Sequence, residues 1–311
     1  MRENALVRAW VKRGGRLELA EVAAPSPRSD ELVVEVRAVS LNRGEVRAAS
    51  HAREGAIPGW DVAGVVVAAA PNGQGPPAGA RVAALLGAGA WAERACVPAG
   101  IAAVVPEPVE LAVAATLPIA GLTVVRALAV AGSLLGREVL VTGGSGGVGQ
   151  LAIQLAALAG ATVTAISSTP ARHDTLRELG ARHVVGAIEQ APGAYDLVLE
   201  SVGGESLAHD VTRAASGGVV VTIGNSAEQD TTFNARTLYA KGGASIYGLL
   251  VFEELASRRV TARDLERLLA LVAAGRLRPS IAQQRSWTEL PAVLAELETR
   301  AFAGKAVLTV D

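Results

Sequence analysis

The spacing of apolar and polar positions changes along the chain and predicts two kinds of structure. In the first hundred residues apolar and polar positions alternate, as in "LVVEVRAVSL" (Leu32–Leu41), which is the two-residue period of a half-buried strand. Segments rich in glycine and proline, such as "PNGQGPPAGA", separate these runs and indicate turns. The pattern predicts a β-rich region with no α-helix of useful length before residue 108.

From about residue 138 the pattern changes to apolar strands that alternate with helices. We predict a strand at Glu138–Val141, a helix at Val148–Ala159 and a further strand at Gly217–Gly224. Gly160 follows the helix at a position where glycine commonly ends one. Such alternation predicts a parallel sheet with helices on both faces, and therefore an α/β fold. The last part of the chain returns to mixed signals, with helices and strands predicted at residues 262–274, 280–285, 288–299 and 305–310.

Composition and charge narrow the class of protein. Half of the 311 residues are hydrophobic, and the net charge is −1, without the basic stripe that nucleic-acid-binding surfaces carry. A proline, a glycine and an arginine interrupt the apolar stretch Leu111–Leu135, which therefore falls short of the ~20 residues of a membrane span. The N-terminal segment lacks the apolar core of an export signal, and Cys96 is the single cysteine. We expect a cytoplasmic protein that binds a small molecule.

The segment "VLVTGGSGGVGQLAIQLA" (Val139–Ala156) joins a strand to a helix through a glycine-rich turn. Gly144, Gly146 and Gly149 match G-x-G-x-x-G in the strand–turn–helix context that makes this pattern specific for dinucleotides. The first glycine permits a tight turn, the second lets the backbone approach a pyrophosphate, and the third lets the helix pack on the strand. Free N–H groups and the positive end of the helix dipole then face the phosphates. The alternative is a strand–helix turn that binds no ligand.

The end of the second predicted strand indicates which dinucleotide is bound. NAD sites usually place an acidic residue there, about 20 residues after the glycines, where it bonds the ribose hydroxyl. Here the segment reads "AISSTPARHD", and no carboxylate appears before Asp174. Ser167 and Ser168 offer hydroxyl groups instead, and Arg172 offers a guanidinium suited to a 2′-phosphate. We therefore predict NADP(H), with a solvated helix residue as the alternative reading of Arg172.

Several further segments, in this order and spacing, carry a family resemblance. Together with the glycine turn they resemble the medium-chain dehydrogenase/reductase superfamily, in its zinc-free quinone oxidoreductase-like branch. The resemblance spans nearly the whole chain. The segments are "AVSLNRGEV", "PGWDVAGVV", "GAWAERACVP", "AATLPIAGLTVVRAL", "YDLVLESVGG" and "FAGKAVLTV".

The resemblance implies the domain organisation and the assembly. It implies a GroES-like β-rich catalytic domain over residues 1–112 and a doubly wound Rossmann domain with a parallel sheet over residues 113–248. Residues 249–311 would then return to complete the catalytic domain. Members of this family are commonly homodimers joined at the edge of the Rossmann sheet, which here would lie near Gly242–Leu250.

The resemblance also implies which residues contact the cofactor. Asn42 and Thr123 are expected beside the nicotinamide end. An ordinary strand-end turn is the alternative for Asn42, and a helix residue bonded to its own backbone is the alternative for Thr123. The residues expected along the rest of the cofactor are Gly144, Ser145, Gly146, Gly147, Val148, Ser167, Ser168, Arg172, Ile223, Gly224 and Asn225.

The zinc ligands of related enzymes are missing from the corresponding positions. Alcohol dehydrogenases of this superfamily bind a catalytic zinc through three protein ligands. Their Gly-His-Glu stretch aligns with Gly59, Trp60 and Asp61, so the histidine is replaced, and the four-cysteine structural loop is missing as well. We expect no metal site. Without a Lewis acid the favoured substrates are those that accept hydride readily.

These arguments predict an NADPH-dependent, zinc-independent reductase that transfers hydride to a quinone or an α,β-unsaturated carbonyl. The candidate catalytic residues are Asn42, Glu45 and Tyr247. Tyr239 and solvent are alternative proton donors. Trp60, Trp91 and Tyr247 could line the pocket, or could belong to the core.

Two other functions fit the same residues. The first is an enoyl-thioester reductase of polyketide or acyl metabolism, which a test on thioester substrates would distinguish. The second is a regulatory protein that binds NADPH without turnover. It would show a ligand-induced shift in melting temperature but no oxidation of NADPH.

Overall fold

The computed structural model describes residues 6–311, which form two compact units. The first unit extends to Ile119 and takes in Thr261–Asp311, and the second is Ala120–Val260. The limits of these units follow from contacts within the chain, whereas the domain boundaries predicted from the sequence follow from the family resemblance. Those boundaries therefore stay a prediction.

The strands are numbered in chain order. They are β1 (Leu6–Arg13), β2 (Arg16–Ala23), β3 (Glu31–Leu41), β4 (Asp61–Ala68), β5 (Arg81–Leu85), β6 (Arg94–Pro98), β7 (Ala103–Val104), β8 (Glu138–Val141), β9 (Thr162–Ile166), β10 (His183–Val185), β11 (Tyr195–Glu200), β12 (Ala214–Thr222), β13 (Ser245–Gly248), β14 (Ile281–Ser286) and β15 (Lys305–Thr309).

The α-helices are numbered in the same way. No helix among residues 6–311 is long and apolar enough to cross a bilayer. They are α1 (Arg43–Ser50), α2 (Leu111–Ala114), α3 (Pro118–Ala131), α4 (Gly147–Leu158), α5 (His173–Glu178), α6 (Gly204–Arg213), α7 (Ala235–Tyr239), α8 (Val251–Ala256), α9 (Ala262–Ala273) and α10 (Leu290–Glu298).

Helix α1 corrects the prediction that no useful helix precedes residue 108. It has only eight residues, and Val46, Ala48 and Ala49 are its apolar ones, so its apolar face is too short for a periodicity argument to detect. Its start is fixed locally, because the Glu45 carboxylate accepts a hydrogen bond of 2.8 Å from the backbone N–H of Asn42. This bond is half of a capping box, and the sequence Asn-Arg-Gly-Glu carries that signal.

The first unit is built on a mainly antiparallel sheet, as the early alternation of apolar and polar residues predicts. Within the described part of the chain the strand order is β14-β15-β3-β4-β5-β7, and β6 also pairs with β3. Strand β15 lies between β14, to which it is parallel, and β3, to which it is antiparallel. The core contains the fully buried side chains of Trp91, Trp287 and Leu32. The last strand of the chain is thus an interior strand of this sheet.

The second unit contains a parallel sheet with the strand order β10-β9-β8-β11-β12-β13, counted among residues 6–311. This is the order 3-2-1-4-5-6 of the doubly wound dinucleotide-binding fold. Because the strands are parallel, their carboxyl ends meet at one edge of the sheet. The order reverses between β8 and β11, and in such folds ligands bind beside that point.

Candidate functional site

The glycine turn follows β8 at the carboxyl edge of the parallel sheet. A Cβ atom on Gly149 would lie 2.8 Å from the Gly144 Cα and even closer to the carbonyl oxygen of Gly143, so this position requires glycine. A Cβ atom on Gly146 would meet only the Gly143 oxygen, at 3.4 Å, so that side of the turn is open. The turn is therefore tight where α4 packs on the sheet and accessible where a ligand would approach.

The first turn of α4 offers backbone donors to a ligand. Gly146 occupies the N-cap position in an extended conformation and, within the described chain, no side chain caps the helix. The first N–H groups of a helix have no intrahelical acceptor, and they carry the positive end of the helix dipole. Gly147 and Val148 are the first two residues of the helix. This cradle fits the pyrophosphate of a dinucleotide cofactor.

The segment after β9 lies beside the glycine turn. The Arg172 guanidinium donates a hydrogen bond of 3.3 Å from Nη1 to the Ser145 hydroxyl. Ser168 is exposed, whereas Ser167 is buried and its hydroxyl finds no partner among the described residues. The segment predicted to bind the 2′-phosphate and the turn predicted to bind the pyrophosphate therefore lie side by side. That Arg172 meets a 2′-phosphate stays a prediction.

The segment after β12 reaches the same edge of the sheet. The backbone N–H of Ile223 donates to the Glu200 carbonyl oxygen at 2.8 Å, which ties this segment to the end of β11. Gly224 and Asn225 follow and are exposed. The second unit thus gathers the glycine turn, the Arg172 segment and the Ile223–Asn225 segment at the carboxyl ends of its strands.

Asn42 and Glu45, two of the predicted catalytic residues, lie together in the first unit. The Asn42 carboxamide donates from Nδ2 to Glu45 Oε2 at 2.9 Å and to Asp61 Oδ2 at 2.8 Å. Glu45 also accepts from the backbone N–H of Trp60 at 2.7 Å. The Asn42 amide therefore bridges two carboxyl groups, of which Asp61 is fully buried and Glu45 nearly so.

A lysine from the other end of the chain completes this cluster. The Lys305 Nζ lies 2.5 Å from Asn42 Oδ1 and 3.3 Å from Asp61 Oδ2, and the lysine is 5% exposed. Asp61 also accepts from the backbone N–H of Ile119 at 2.8 Å. The cation fixes which way the Asn42 amide points, because its oxygen faces the ammonium and its nitrogen faces the carboxyl groups.

The electrostatic environment of this cluster favours one protonated carboxyl group, that of Glu45. Burial raises the pKa of Glu45 to about 8, and repulsion from Asp61 adds to the shift. Burial also raises the pKa of Asp61, whereas Lys305 opposes that rise. With both acids ionised, two buried negative charges would face one ammonium. With Glu45 protonated the charges balance, and the raised pKa of Glu45 favours this form at neutral pH.

The other predicted residues at the nicotinamide end lie in the second unit. Thr123 is buried in α3. The Tyr247 hydroxyl, on β13, donates to Glu254 at 2.6 Å and accepts from Arg126 at 3.1 Å. Tyr239 is 70% exposed, and its role as a proton donor stays a prediction. The Tyr247 hydroxyl is thus engaged in an ion-pair network.

The predicted pocket walls differ in exposure. Trp91 is buried in the core of the first unit, in line with the alternative reading of that residue, whereas Trp60 is half-buried beside Gly44 in the first turn of α1. Within residues 6–311, no three His, Cys, Asp or Glu side chains are grouped so that they could hold a metal ion.

Sequence reasoning missed one pair of residues, Lys305 and Asp61, and one single residue, Glu200. Lys305 and Asp61 are 244 residues apart, and nothing in local spacing pairs them. Glu200 ends a buried apolar strand, and a carboxylate in that position was the signal that could have drawn attention to it.

Two family descriptions match the chain. Residues 28–107 match "Alcohol dehydrogenase GroES-like domain", and residues 147–273 match "Zinc-binding dehydrogenase". The quinone oxidoreductase of Thermus thermophilus, whose structure was also solved with NADPH, is 30% identical. The alignment covers 97% of this chain and 99% of that protein, with a TM-score of 0.84.

Curated relatives show the same likeness. A chloroplast envelope quinone oxidoreductase homolog of Arabidopsis thaliana is 36% identical over 60% of this chain and 64% of its own length. The spectinabilin polyketide synthase system protein NorB of Streptomyces orinoci is 33% identical over 93% of this chain but only 14% of its own length. The plant relatives are matched over 58% to 64% of their lengths.

The fold, the strand order and the similarity to known proteins agree with one another. The GroES-like match lies in the first unit, and the nucleotide-binding strand order is that of the second. The predicted fold class is confirmed, and so is the resemblance on which it drew. The chain belongs to the medium-chain dehydrogenase/reductase superfamily, in its quinone oxidoreductase-like branch.

Proposed function

We propose that this protein is an NADPH-dependent, zinc-independent reductase of quinones or α,β-unsaturated carbonyls. The observation that carries the proposal is the cradle at the carboxyl edge of the parallel sheet. There the uncapped first turn of α4 offers backbone donors, and the Arg172 guanidinium lies 3.3 Å from the Ser145 hydroxyl beside it. The first feature suits a pyrophosphate, and the second suits an additional phosphate.

The residues of the second unit would hold the cofactor along its length. Gly146, Gly147 and Val148 would bind the pyrophosphate, while Ser168 and Arg172 would bind the phosphorylated ribose. A bound reduced nicotinamide supplies a hydride. The protein's part is then to orient the acceptor and to exclude water.

Zinc independence is supported by the residues that occupy the relevant positions. Trp60 stands where related dehydrogenases carry a histidine, and Asp61 is already bonded to Asn42, Lys305 and the Ile119 backbone. These groups do not form a three-ligand site with an open position. We therefore expect activity to survive dialysis against a chelator, as measured by NADPH oxidation before and after treatment.

Glu45 is the candidate for the proton that accompanies hydride transfer. Reduction of a conjugated carbonyl adds a hydride to one carbon and a proton at the other end of the conjugated system. Burial raises the pKa of Glu45 to about 8, which favours its protonated form at neutral pH. Asn42 fixes the Glu45 carboxyl through two hydrogen bonds. This makes Glu45 the first candidate for the proton source.

Turnover assays with two cofactors test the proposal. The protein is mixed with NADPH or NADH and a panel of quinones and enones, and cofactor oxidation is followed by absorbance. We expect oxidation of NADPH with at least one acceptor and weaker binding of NADH. Tight binding of NADPH without oxidation by any acceptor would instead favour a regulatory protein.

The second candidate substrate is an enoyl thioester. It is favoured by the similarity to the polyketide synthase system protein NorB over 93% of this chain. The same assay with a short enoyl thioester distinguishes the two. A value of kcat/KM higher for the thioester than for every free quinone and enone would replace the first candidate with the second.

We also propose that two copies pair along β13. This strand is the last in its sheet, and it pairs with β12 on one side within the described residues. Leu250, just beyond it, is 56% exposed. Unpaired strand edges invite pairing with another chain. Light scattering should report a dimer, and Leu250→Glu should shift it toward monomer.

A further inference from the structure

Gln150 is a buried polar residue of α4 to which the proposed function gives no role. It lies in the first turn of the helix and is 4% exposed. Its side-chain nitrogen Nε2 donates a hydrogen bond of 2.9 Å to the carbonyl oxygen of Ser145, in the glycine turn. Its backbone N–H donates to the Gly146 carbonyl oxygen, also at 2.9 Å. One residue of the helix therefore holds two successive carbonyl groups of the turn.

The orientation of the Gln150 amide follows from its partner. A carbonyl oxygen only accepts hydrogen bonds, so the nitrogen end of the amide must face Ser145. The oxygen end, Oε1, is buried and has no hydrogen-bond partner among the described residues. A buried acceptor without a partner lowers stability, and an apolar side chain of similar length would avoid this loss. Packing alone therefore does not account for a glutamine at this position.

The peptide unit between Ser145 and Gly146 is held at both of its polar ends. Its carbonyl oxygen accepts from Gln150, and its N–H group donates to the Gly143 carbonyl oxygen at 2.9 Å. The Ser145 side chain is held as well, because its hydroxyl accepts from Arg172 at 3.3 Å. The carbonyl of this peptide unit therefore points at the buried side chain of Gln150.

The direction of this carbonyl matters for an anion bound at the turn. A carbonyl oxygen carries a partial negative charge and repels a phosphate, whereas backbone N–H groups attract one. The N–H groups of Gly147 and Val148, at the start of α4, have no intrahelical acceptor. Gly146 has no Cβ atom and rotates easily. Without the Gln150 donor, the peptide unit before it could turn its carbonyl oxygen toward the phosphates.

We propose that Gln150 is a positioning residue for the cofactor: its side-chain N–H group holds the Ser145 carbonyl away from the pyrophosphate, so that the N–H groups at the start of α4 face this anion. The inference rests on the proposed function, since it assumes that a dinucleotide binds at the glycine turn. Gln150 acts through the turn and not by contact with the cofactor. Because NADPH and NADH carry the same pyrophosphate, Gln150 affects the binding of both.

The test is the dissociation constant of each cofactor, measured by titration of the full chain carrying Gln150→Met. Methionine has a similar length but no hydrogen-bond donor. We expect the dissociation constants of NADPH and NADH both to rise about three- to tenfold, which corresponds to the loss of one hydrogen bond. The melting temperature without cofactor should stay nearly unchanged, because the substitution also removes the unpartnered Oε1. At saturating NADPH, kcat should equal that of the natural protein.

Gln154→Met is the matched control. Gln154 is also a buried glutamine of α4, one turn further along, and its Nε2 donates to the Gln150 carbonyl oxygen at 3.1 Å. This variant should bind both cofactors as the natural protein does. A second test variant, Gln150→Leu, also lacks the donor but fills the space differently. Its affinities should match those of Gln150→Met, and it replaces that variant if methionine prevents folding.

Four results would overturn the inference. The first is natural affinity for both cofactors in the Gln150 variants. The second is an equal loss of affinity in Gln154→Met, which would make the packing of α4 the cause. The third is a loss confined to NADPH, which would place the effect at the 2′-phosphate. The fourth is loss of the folded state in both Gln150 variants, which would assign the residue to the core.

Failure of the proposed function gives a different result. If the natural protein binds neither NADPH nor NADH, the proposed function fails and the inference falls with it. If the natural protein binds a cofactor and the Gln150 variants bind it equally well, the inference alone fails and the proposed function stands.

Discussion

A side-chain hydrogen bond of Arg172 links two segments of the proposed cofactor site. Its guanidinium reaches the Ser145 hydroxyl at 3.3 Å, from the turn after β9 to the turn after β8. Replacing Arg172 with glutamine removes the cation that would face a 2′-phosphate but leaves a polar side chain. We expect Arg172→Gln to weaken NADPH binding about tenfold and to leave NADH binding nearly unchanged. A tenfold change corresponds to about 1.4 kcal/mol, within the range for an ion pair near a surface.

The control for this prediction is Arg177→Gln. Arg177 lies on α5, pairs with Asp174 at 2.7 Å and is half-exposed, so it offers the same charge at a different place. Titrations of both variants with both cofactors separate a local contact from an effect of net charge. Equal loss of NADPH and NADH affinity in Arg172→Gln would contradict the assignment of NADP(H).

The pair Lys305–Asp61 is the other residue-scale feature with a measurable consequence. Both groups are buried, and the ammonium lies 3.3 Å from Asp61 Oδ2. Removing one partner leaves a buried charge without compensation. We expect Lys305→Met to lower the free energy of unfolding by about 3–5 kcal/mol.

A double variant distinguishes a lost charge partner from lost packing. In Lys305→Met with Asp61→Asn the uncompensated charge is gone, so most of the lost stability should return. Denaturant unfolding of the natural protein, both single variants and the double variant gives the coupling energy. If the effects of the two substitutions on the free energy of unfolding are additive, Lys305 does not stabilise the protein through its ion pair with Asp61.

At the scale of elements, the sequence predicted most of the second unit because its signals are local. Strand β8, the glycine turn and α4 are adjacent in the chain, and each is set by its own periodicity or turn chemistry. Helix α1 was missed because its eight residues give too short an apolar face and its start depends on a bond between Asn42 and Glu45. The cluster around Asp61 could not be predicted, since β4 and β15 are far apart in the sequence and come near each other only as the two neighbours of β3 in the sheet.

The glycine turn gives a prediction that separates folding from binding. In Gly149→Ala the new methyl group would collide with the backbone of Gly143 and Gly144, so α4 could not pack as it does. We expect a large drop in melting temperature. In Gly146→Ala the nearest atom lies at 3.4 Å, so the protein should fold normally. The methyl group would then stand where the pyrophosphate approaches, and NADPH binding should weaken.

Thermal unfolding and a binding titration of each variant check this contrast. The two substitutions are chemically identical and three residues apart, so each is the other's control. Normal stability in Gly149→Ala would contradict the steric reading. Unchanged NADPH affinity in Gly146→Ala would contradict the position given to the pyrophosphate.

At the scale of the whole molecule, buried acids make stability depend on pH. The pKa of Glu45 is raised from 4.5 to about 8, so the folded state binds this proton more tightly than the unfolded state does. The stabilisation is complete below about pH 4.5 and is lost as the pH rises through about 8. We expect the melting temperature to fall between pH 5 and pH 9, and Glu45→Gln to flatten this fall.

The control for this prediction is Glu107→Gln, because Glu107 is also a glutamate of the first unit but is exposed. Its curve should follow that of the natural protein. A curve for Glu45→Gln with the same slope as the natural protein would mean that Glu45 is ionised when folded. In that case the candidate proton source would be lost too.

The position of β15 has a consequence for how the molecule is made. This strand, at residues 305–309, lies between β14 and β3, so the first sheet is assembled from segments that precede and follow the second unit in the chain. During synthesis the earlier strands emerge first, yet their neighbour is translated only after the entire second unit. The second unit can fold on the ribosome, whereas the first must wait, with Ala38–Leu41 of β3 uncovered, until β15 has been translated.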